Sequence, residues 1–241
     1  MAKNRILFIS QIAEPGRYPD HRYADAPGGD NEVHWVSLKL DEAGVLNHID
    51  YDGLHACRGD GLPGPEDADG VILGGSYHSV HEKRPFQLSL LDWLDNWWDS
   101  GKPLMGICGG HQLMAVSRGG DVIPVEGGPM AASLPVDITD AGRDHYLFDG
   151  LGAAPEFHFG NYEQVAAPVD DAVVLATRPE MAAMALDYGH HRLSVQFHPE
   201  ADCQVFAGAW SDNHPEYVAN YHELPDAPKM LRNFLKGSGL I

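Results

Sequence analysis

The chain has 241 residues, of which 44% are hydrophobic and 21% are charged, which predicts one globular domain over residues 1–241. Its formal net charge of −19 repels phosphate backbones and anionic lipid, so nucleic acid and membranes are excluded as expected partners. The three cysteines, Cys57, Cys108 and Cys203, are odd in number and lack the spacing of a disulfide framework. We therefore expect a reduced, cytoplasmic protein.

Short apolar runs alternate with helical patterns along much of the chain. Buried parallel strands are predicted at residues 5–10, 70–75, 103–107 and 193–197. Helices are predicted at residues 31–44, from Pro85 to just before Gly101, and at residues 229–236, because apolar residues recur there at helical spacing. This alternation predicts an α/β fold.

Two other kinds of segment interrupt this pattern. Five short strand candidates predict a smaller antiparallel section beyond the central part of the chain; they lie at residues 121–125, 134–139, 156–159, 172–176 and 181–186. Residues 11–32 and 203–228 are rich in Pro, Gly, His and Asp, so we predict that they are long loops or insertions.

Cys108 lies in the sequence GICGG, where an apolar run turns into a helical pattern. Gly106 and Gly110 flank it at two positions on either side, which is what a sharp strand-to-helix turn requires if the side chain is to stand exposed above a sheet. The N–H groups and positive dipole end of the following helix would favour a thiolate and could hold an oxyanion. A buried, inert cysteine in a tight turn is the alternative that these residues alone leave open.

A thiolate that attacks an acyl carbon needs a general base, and the sequence VQFHPE supplies a candidate. His198 directly follows a predicted strand, which places it at the end of the sheet where such sites collect. Pro199 favours a turn that brings Glu200 beside the imidazole, where a carboxylate would fix the tautomer and stabilise the imidazolium.

The sequences GICGGHQL and VQFHPE, in this order, resemble those of the class I glutamine amidotransferases. Two further segments extend the likeness: DADGVILGGSYHSVHE resembles the strand and oxyanion loop of the family, and MLRNFLK resembles its closing helix. The resemblance covers most of residues 68–200 and the C-terminus. It implies a flavodoxin-like, three-layer open sheet with helices on both faces, similar to the glutaminase domain of GMP synthases.

The resemblance also implies a mechanism and a set of site residues. Cys108 would attack the side-chain amide carbon of glutamine, while the backbone N–H groups of Gly75 and Gly109 hold the oxyanion. His198 would protonate the departing ammonia and then activate water to hydrolyse the γ-glutamyl thioester. No cofactor and no metal are expected. The substrate-binding residues implied by the family are Gly74, Gln112, Phe159, Gly160 and Asn161.

Two positions depart from the family pattern. Relatives read His-Trp-His where this chain has His158, Phe159 and then Gly160 and Asn161, so the second histidine is missing. Gly109 follows the nucleophile where bulkier residues are common, and a smaller residue there predicts a wider pocket that admits more than free glutamine.

Three functions are compatible with these residues. The leading hypothesis is a glutaminase that passes ammonia to a separate synthetase, with weak activity when isolated because Gly75 lies in an oxyanion loop that is not fully productive. The alternative is a γ-glutamyl hydrolase or peptidase that uses the same thioester chemistry. An inactive regulatory homologue is the third, and the intact Cys108, His198 and Glu200 argue against it.

Two histidine pairs are predicted to be solvated rather than to bind metal. His78 and His81 form H-x-x-H on a Gly/Ser-rich loop without the further ligands that zinc would need. His190 and His191 lie in the sequence DYGHHRL, which predicts a hairpin turn.

Overall fold

The computed structural model describes residues 2–169 and 171–241. Strands and helices alternate along the first half of the described chain, and strands dominate the middle. The strands are β1 (Arg5–Ser10), β2 (Asp50–His55), β3 (Gly70–Leu73), β4 (Leu104–Ile107), β5 (Val122–Pro124), β6 (Met130–Pro135), β7 (Asp137–Ile138), β8 (Glu156–Asn161), β9 (Glu163–Val165), β10 (Val173–Arg178), β11 (Met181–Asp187) and β12 (Arg192–Val195). The α-helices are α1 (Glu32–Glu42), α2 (Pro85–Ser100), α3 (Gly109–Ser117), α4 (Asp140–Arg143), α5 (Cys203–Ser211) and α6 (Lys229–Gly237).

Eight of these strands form one sheet in the order β2-β1-β3-β4-β12-β11-β10-β7. The first five of that order run parallel, and β11, β10 and β7 extend the sheet in antiparallel register. Two antiparallel ribbons, β5 with β9 and β6 with β8, lie outside the main sheet. The predicted α/β sheet with an antiparallel section is confirmed.

Alternate side chains of β1 divide the core between the two faces of the sheet. Ile6 and Phe8 belong to a cluster that includes apolar residues of α1 and α6. Leu7 and Ile9 point the other way and belong to a cluster with residues of α2 and α3. Since successive side chains of a strand face opposite sides, this partition follows from the continuous apolar run of β1. The three-layer arrangement that the family resemblance implies is therefore present.

Helix α2 has the bounds that the sequence predicts. Pro85 occupies the first turn, where no intrahelical N–H bond is lost, and Gly101 ends the helix with φ of 73°, a left-handed conformation that glycine adopts without strain. Leu90, Leu94 and Trp97 are fully buried against the sheet. The stripe of leucine and tryptophan is core packing.

The sequence did not predict β2, the short elements β9 and α4, or α5. Strand β2 is an edge strand without a fully buried side chain, so its sequence, DYDGLH, lacks the apolar run of the central strands. The prediction of a loop over residues 203–228 is wrong at its start, because α5 forms there and buries Val205, Phe206 and Trp210. The helix was missed because the rest of the segment, after α5, is rich in Pro, His and Asp, and the composition of the whole segment therefore indicated a loop. Residues 11–31 form turns, as predicted.

Within residues 2–169 and 171–241, every helix is too short or too polar to cross a membrane.

The packing of α3 onto β3 depends on a glycine, which gives a test of the fold. A Cβ atom on Gly110 would lie 2.3 Å from the backbone oxygen of Leu73, and neither backbone can move without disturbing the sheet. We expect Gly110→Ala to lower the free energy of unfolding by about 2 kcal/mol or more, as overpacking does. Gly61→Ala is the control, because Gly61 has open space around it, and it should change stability by less than ~0.5 kcal/mol. Equal urea midpoints for the two variants would contradict this packing.

Candidate active site

Three neighbouring parallel strands deliver the candidate site to one edge of the sheet. β3 leads into Gly75, β4 into Cys108 and β12 into His198, and these strands are adjacent in the order β3-β4-β12. The carboxyl ends of parallel strands meet at the same edge, where open α/β sheets bind their ligands. A Cβ atom built on Gly75 would lie 3.1 Å from His198 Cε1 and 3.9 Å from Cys108 Sγ, so the three loops converge.

Cys108 occupies the sharp turn that the sequence predicts. Its φ of 51° and ψ of −103° are unusual for a residue with a side chain, and its N–H donates to Val195 O at 2.8 Å. Gly106 and Gly110 allow the turn, because a Cβ atom on Gly106 would lie 2.8 Å from the Gly110 carbonyl group. Strain of this kind persists where the surrounding structure holds it, and it aims the sulfur off the end of the sheet.

His198 and Glu200 form a buried pair. Nδ1 of His198 lies 2.7 Å from Oε1 of Glu200, and their side chains are 11% and 2% exposed. Burial acts to lower the pKa of His198, but Glu200 and the Cys108 side chain outweigh it and hold that pKa well above its ordinary value. The imidazole is therefore favoured in its protonated form beside the sulfur, ready to supply a proton.

Asn161 contacts the predicted nucleophile. Its Nδ2 donates to Cys108 Sγ at 3.4 Å and to Gln196 O at 3.2 Å, and the side chain is 2% exposed. A hydrogen-bond donor at a sulfur stabilises its thiolate form. The family resemblance implies that Asn161 binds substrate, whereas this geometry also gives it a contact with the sulfur of Cys108.

The other predicted substrate residues divide into two groups. Gln112 and Gly160 line the cavity at Cys108, and Gln112 Nε2 donates to Glu163 O at 3.0 Å. Phe159, by contrast, has a fully buried side chain that packs against Phe197 in the core, so its ring does not face the cavity.

Gly74 also differs from its expected role as a substrate contact. Its carbonyl oxygen accepts hydrogen bonds from Gly110 N and Gln11 Nε2, at 3.0 and 2.9 Å. A Cβ atom there would lie 2.6 Å from the ring of Phe8. Gly74 thus joins β3 to α3 and packs against the core instead of lining the cavity.

The two backbone N–H groups expected to hold the oxyanion differ in whether they already donate a hydrogen bond. The N–H of Gly109 begins α3 and so has no intrahelical partner. The N–H of Gly75 donates to Oε1 of Glu32 at 3.3 Å. The expected widening of the pocket at Gly109 is not found, because Ser76 fills the space: a Cβ atom on Gly109 would lie 2.9 Å from the Cβ of Ser76.

Glu32 was not identified from the sequence. It lies in the first turn of α1, is 4% exposed, and lines the cavity. Burial raises the pKa of its carboxyl group to about 8; the Ser10 hydroxyl and the Gly75 amide oppose the rise, and the Glu200 charge adds to it. A sequence cannot reveal this role, because an acidic residue in the first turn of a helix is ordinarily a favourable partner of the helix dipole.

His78 and His81 were both predicted to be solvated, and this is wrong for His78. His78 is 3% exposed, and its Nε2 accepts a hydrogen bond from the backbone N–H of Glu14 at 3.2 Å, while Nδ1 lies 3.2 Å from Glu82 Oε2. It therefore joins residues 11–31 to the loop after β3. His81 is exposed, and His190 and His191 occupy an exposed turn between β11 and β12, as predicted. The described residues contain no cluster of three or more His, Cys, Asp or Glu side chains placed to hold a metal ion.

The other two thiols lie in different surroundings. Cys57 is buried and donates to Ala13 O at 2.7 Å, and burial raises the pKa of its thiol. Partial burial and the neighbouring Glu223 carboxylate raise the pKa of Cys203 to about 11. Both thiols are therefore protonated near neutral pH.

A cavity of about 670 Å³ opens at Cys108 and His198. Its walls come from the loop after β3, from β8 and the residues that follow it, from residues 12–35 and from α5. The two segments predicted to be insertions thus enclose the candidate site.

Comparisons with known proteins agree with this geometry. The profile of the family described as glutamine amidotransferase class-I matches residues 48–223. The chain is 31% identical over 216 residues to a GMP synthase [glutamine-hydrolyzing] of Aeropyrum pernix, which covers 86% of this chain and 38% of the relative. It is also 31% identical to gamma-glutamyl peptidase 4 of Arabidopsis thaliana, which covers 82% of this chain and 76% of the relative. The chain belongs to the class I glutamine amidotransferase family.

A solved structure supports the fold independently. A glutamine amidotransferase from Thermotoga maritima superimposes with a TM-score of 0.75 at 18% identity, and the match covers 99% of each chain. Among curated relatives, the chain spans 38% of the length of the Aeropyrum GMP synthase and 47% of a gamma-glutamyl-L-1-hydroxyisopropylamide hydrolase from a Pseudomonas species, to which it is 28% identical over 138 residues.

The contact between Asn161 and the sulfur predicts a change in thiol reactivity. Asn161→Ala removes the donor at Cys108 Sγ, and we expect alkylation of Cys108 by iodoacetamide to slow about tenfold at neutral pH, because a hydrogen bond to a charged group contributes ~1.5 kcal/mol. Asn96→Ala, an exposed asparagine on α2, is the control and should leave the rate unchanged. Peptide mass spectrometry measures the modified fraction, and equal rates in both variants would contradict the contact.

The raised pKa of Glu32 predicts how stability depends on pH. The folded chain holds a proton on Glu32 up to about pH 8, whereas an unfolded glutamate releases it near ~4.3, so this group destabilises the fold increasingly as pH rises between these values. Glu32→Gln removes the titration and keeps an acceptor for Gly75 N–H. We expect its Tm relative to wild type to increase by about 5 °C between pH 5 and pH 8.5. Glu66→Gln, at an exposed carboxylate, should show no such trend, and a constant Tm difference for Glu32→Gln would refute the shift.

Proposed function

We propose that the chain hydrolyses the amide bond of a γ-glutamyl compound through a thioester on Cys108. The observation that carries the proposal is the convergence of Cys108, in a strained turn at the start of α3, with the buried His198–Glu200 pair. This is the nucleophile, proton donor and orienting carboxylate that acyl transfer requires. Glutamine is the smallest substrate of this class.

In the first step, Cys108 Sγ attacks the γ-carbonyl carbon while Asn161 Nδ2 stabilises the sulfur. The oxyanion that forms would accept a hydrogen bond from Gly109 N–H, aided by the positive end of α3. Gly75 N–H can join it only if it leaves Glu32, since one N–H cannot serve both acceptors well.

In the second step, the C–N bond breaks and His198 gives its proton to the departing amine or ammonia. The imidazole, now neutral and still held by Glu200, accepts a proton from the water that attacks the thioester carbonyl. The C–S bond then breaks, and glutamate and the free thiol are released. Overall, one amide and one water give glutamate and one amine.

Two versions of this chemistry have separate support. Similarity to a glutamine-hydrolysing GMP synthase over 86% of the chain favours the first, a glutaminase whose ammonia goes to a separate synthetase. The cavity of about 670 Å³ favours the second, a hydrolase of a larger γ-glutamyl amide, because its volume lies among the sizes that hold drug-like ligands, ~300–1,000 Å³. We favour the hydrolase on this ground.

The reaction is tested by labelling and turnover. An electrophilic glutamine analogue, 6-diazo-5-oxo-norleucine, should modify Cys108 alone, and Cys108→Ser should abolish glutamate release from glutamine and from γ-glutamyl-methylamide. Cys203→Ser is the control and should retain both activities, because that thiol is held protonated and does not line the cavity. Labelling of Cys57 or Cys203 with Cys108 untouched would overturn the assignment.

The synthetase-dependent version has its own test. Glutamine turnover that rises strongly when a co-purifying synthetase is added would favour it. Turnover of a γ-glutamyl amide by the isolated chain, far faster than that of glutamine, would favour the hydrolase.

A further inference from the structure

Two segments outside β3, β4 and β12 line the outer part of the cavity. One wall comes from residues 12–35, which precede the segment matched by the family profile. The other comes from α5, which packs against the first, and Arg22 joins the two by donating two hydrogen bonds to Asp212, at 3.0 and 3.2 Å. The family's chemistry does not require this enclosure, so it points to a second task, which is holding the part of the substrate beyond the scissile bond.

Aromatic side chains supply much of the apolar surface of this part of the cavity. Those that line it are Tyr23, Trp35, Tyr77, Tyr162, Phe206 and Trp210. Phe206 packs edge-on against the imidazole of His198, with ring centroids 4.9 Å apart. Because His198 must reach the departing nitrogen, the substituent on that nitrogen enters the cavity next to Phe206. Tyr162, which is 55% exposed, stands at the outer end and packs against Trp210 at 5.3 Å.

The charges around the cavity oppose an anionic leaving group. Glu82, Glu163 and Asp212 all line it. Arg22, whose side chain is 6% exposed, is already paired with Asp212, and the protonated His198 is paired with Glu200. Among the described lining residues, only the exposed Arg17 then adds a further cation. A carboxylate taken into this cavity would lose water without gaining a buried, unpaired cation.

We propose that this cavity is a leaving-group site for an amine that bears an aromatic ring, released from a γ-glutamyl amide that carries no carboxylate on the amine side. The inference rests on the proposed function and names its substrate class. Aromatic walls bind such a ring through apolar burial and edge-to-face contacts, and the surrounding carboxylates reject the corresponding amino acid.

The reaction follows the same balance as before. The γ-carbonyl carbon forms a bond with Cys108 Sγ, the bond to the nitrogen of the ring-bearing amine breaks, and His198 supplies the proton that the amine needs to leave. Water then releases glutamate. Because the ring is held in the cavity while the C–N bond breaks, the aromatic group contributes to kcat/KM for acylation and not to hydrolysis of the common thioester.

Three substrates that differ by one group each test the proposal on the purified chain. They are γ-glutamyl-methylamide, γ-glutamyl-phenethylamide and γ-glutamyl-phenylalanine, and the last two differ only by a carboxylate. We expect kcat/KM for the phenethylamide to be about tenfold higher, or more, than kcat/KM for the methylamide. It should exceed kcat/KM for γ-glutamyl-phenylalanine by a similar factor.

Variants at the outer wall connect the preference to the cavity. Tyr162→Ala should lower the phenethylamide-to-methylamide ratio about fivefold, and Tyr162→Phe should restore it, since the ring and not the hydroxyl contacts the substrate. Tyr162 is mostly exposed, so neither change should impair folding, and Leu88→Ala, an exposed apolar residue on α2, is the matched control.

Failure of the proposed hydrolysis and failure of the leaving-group site give different results. If none of the γ-glutamyl amides is turned over in a Cys108-dependent way, the proposed function and this inference both fail. If the methylamide is hydrolysed as fast as the phenethylamide, or if the Tyr162 variants leave the ratio unchanged, only the leaving-group site fails. A preference for γ-glutamyl-phenylalanine that Arg17→Gln abolishes would contradict the proposal. The leaving group would then be an amino acid whose carboxylate binds Arg17.

Discussion

The parallel pairing of β3, β4 and β12 is the constraint on which the site depends. It places the ends of three strands side by side, so that the loop after β3, the turn at Cys108 and the His198–Glu200 segment meet without any long-range flexible connection. The turn at Cys108 is strained, and a hydrogen bond from its N–H to β12 and the glycines on either side hold it in place. The sheet therefore fixes the nucleophile, and the side chains around it need only supply charge and hydrogen bonds.

Much of this arrangement could be predicted because the relevant residues are local to strand ends. Cys108 and His198 each follow a short apolar run that predicts a buried strand, and the glycines and proline beside them favour a sharp turn. Glu32 could not be predicted, because its burial depends on how α1 packs against the loop after β3. His78 was wrongly expected at the surface for a similar reason, since the chain that covers it comes from residues 11–31.

Strand β8 shows where pattern reasoning reaches its limit. Phe159 and Asn161 are two residues apart, so they point to the same face of the strand. Phe159 lies over Phe197 in the core, while Asn161 reaches the sulfur of Cys108. A sequence motif identifies the run of residues, but the position of the strand relative to β4 decides which of them meets the nucleophile. Helix α5 was missed because its apolar face is one short part of a polar segment.

Arg22 and Asp212 are far apart in the chain, yet their ion pair joins the two segments that enclose the cavity. The strands that carry the reactive groups make no use of this pair. Under the proposed function, reactivity and selectivity are thus encoded on different portions of the polypeptide. The two peripheral segments would then have to be exchanged together to change the substrate range, because replacing the Asp212 segment alone would leave the buried Arg22 without its counterion.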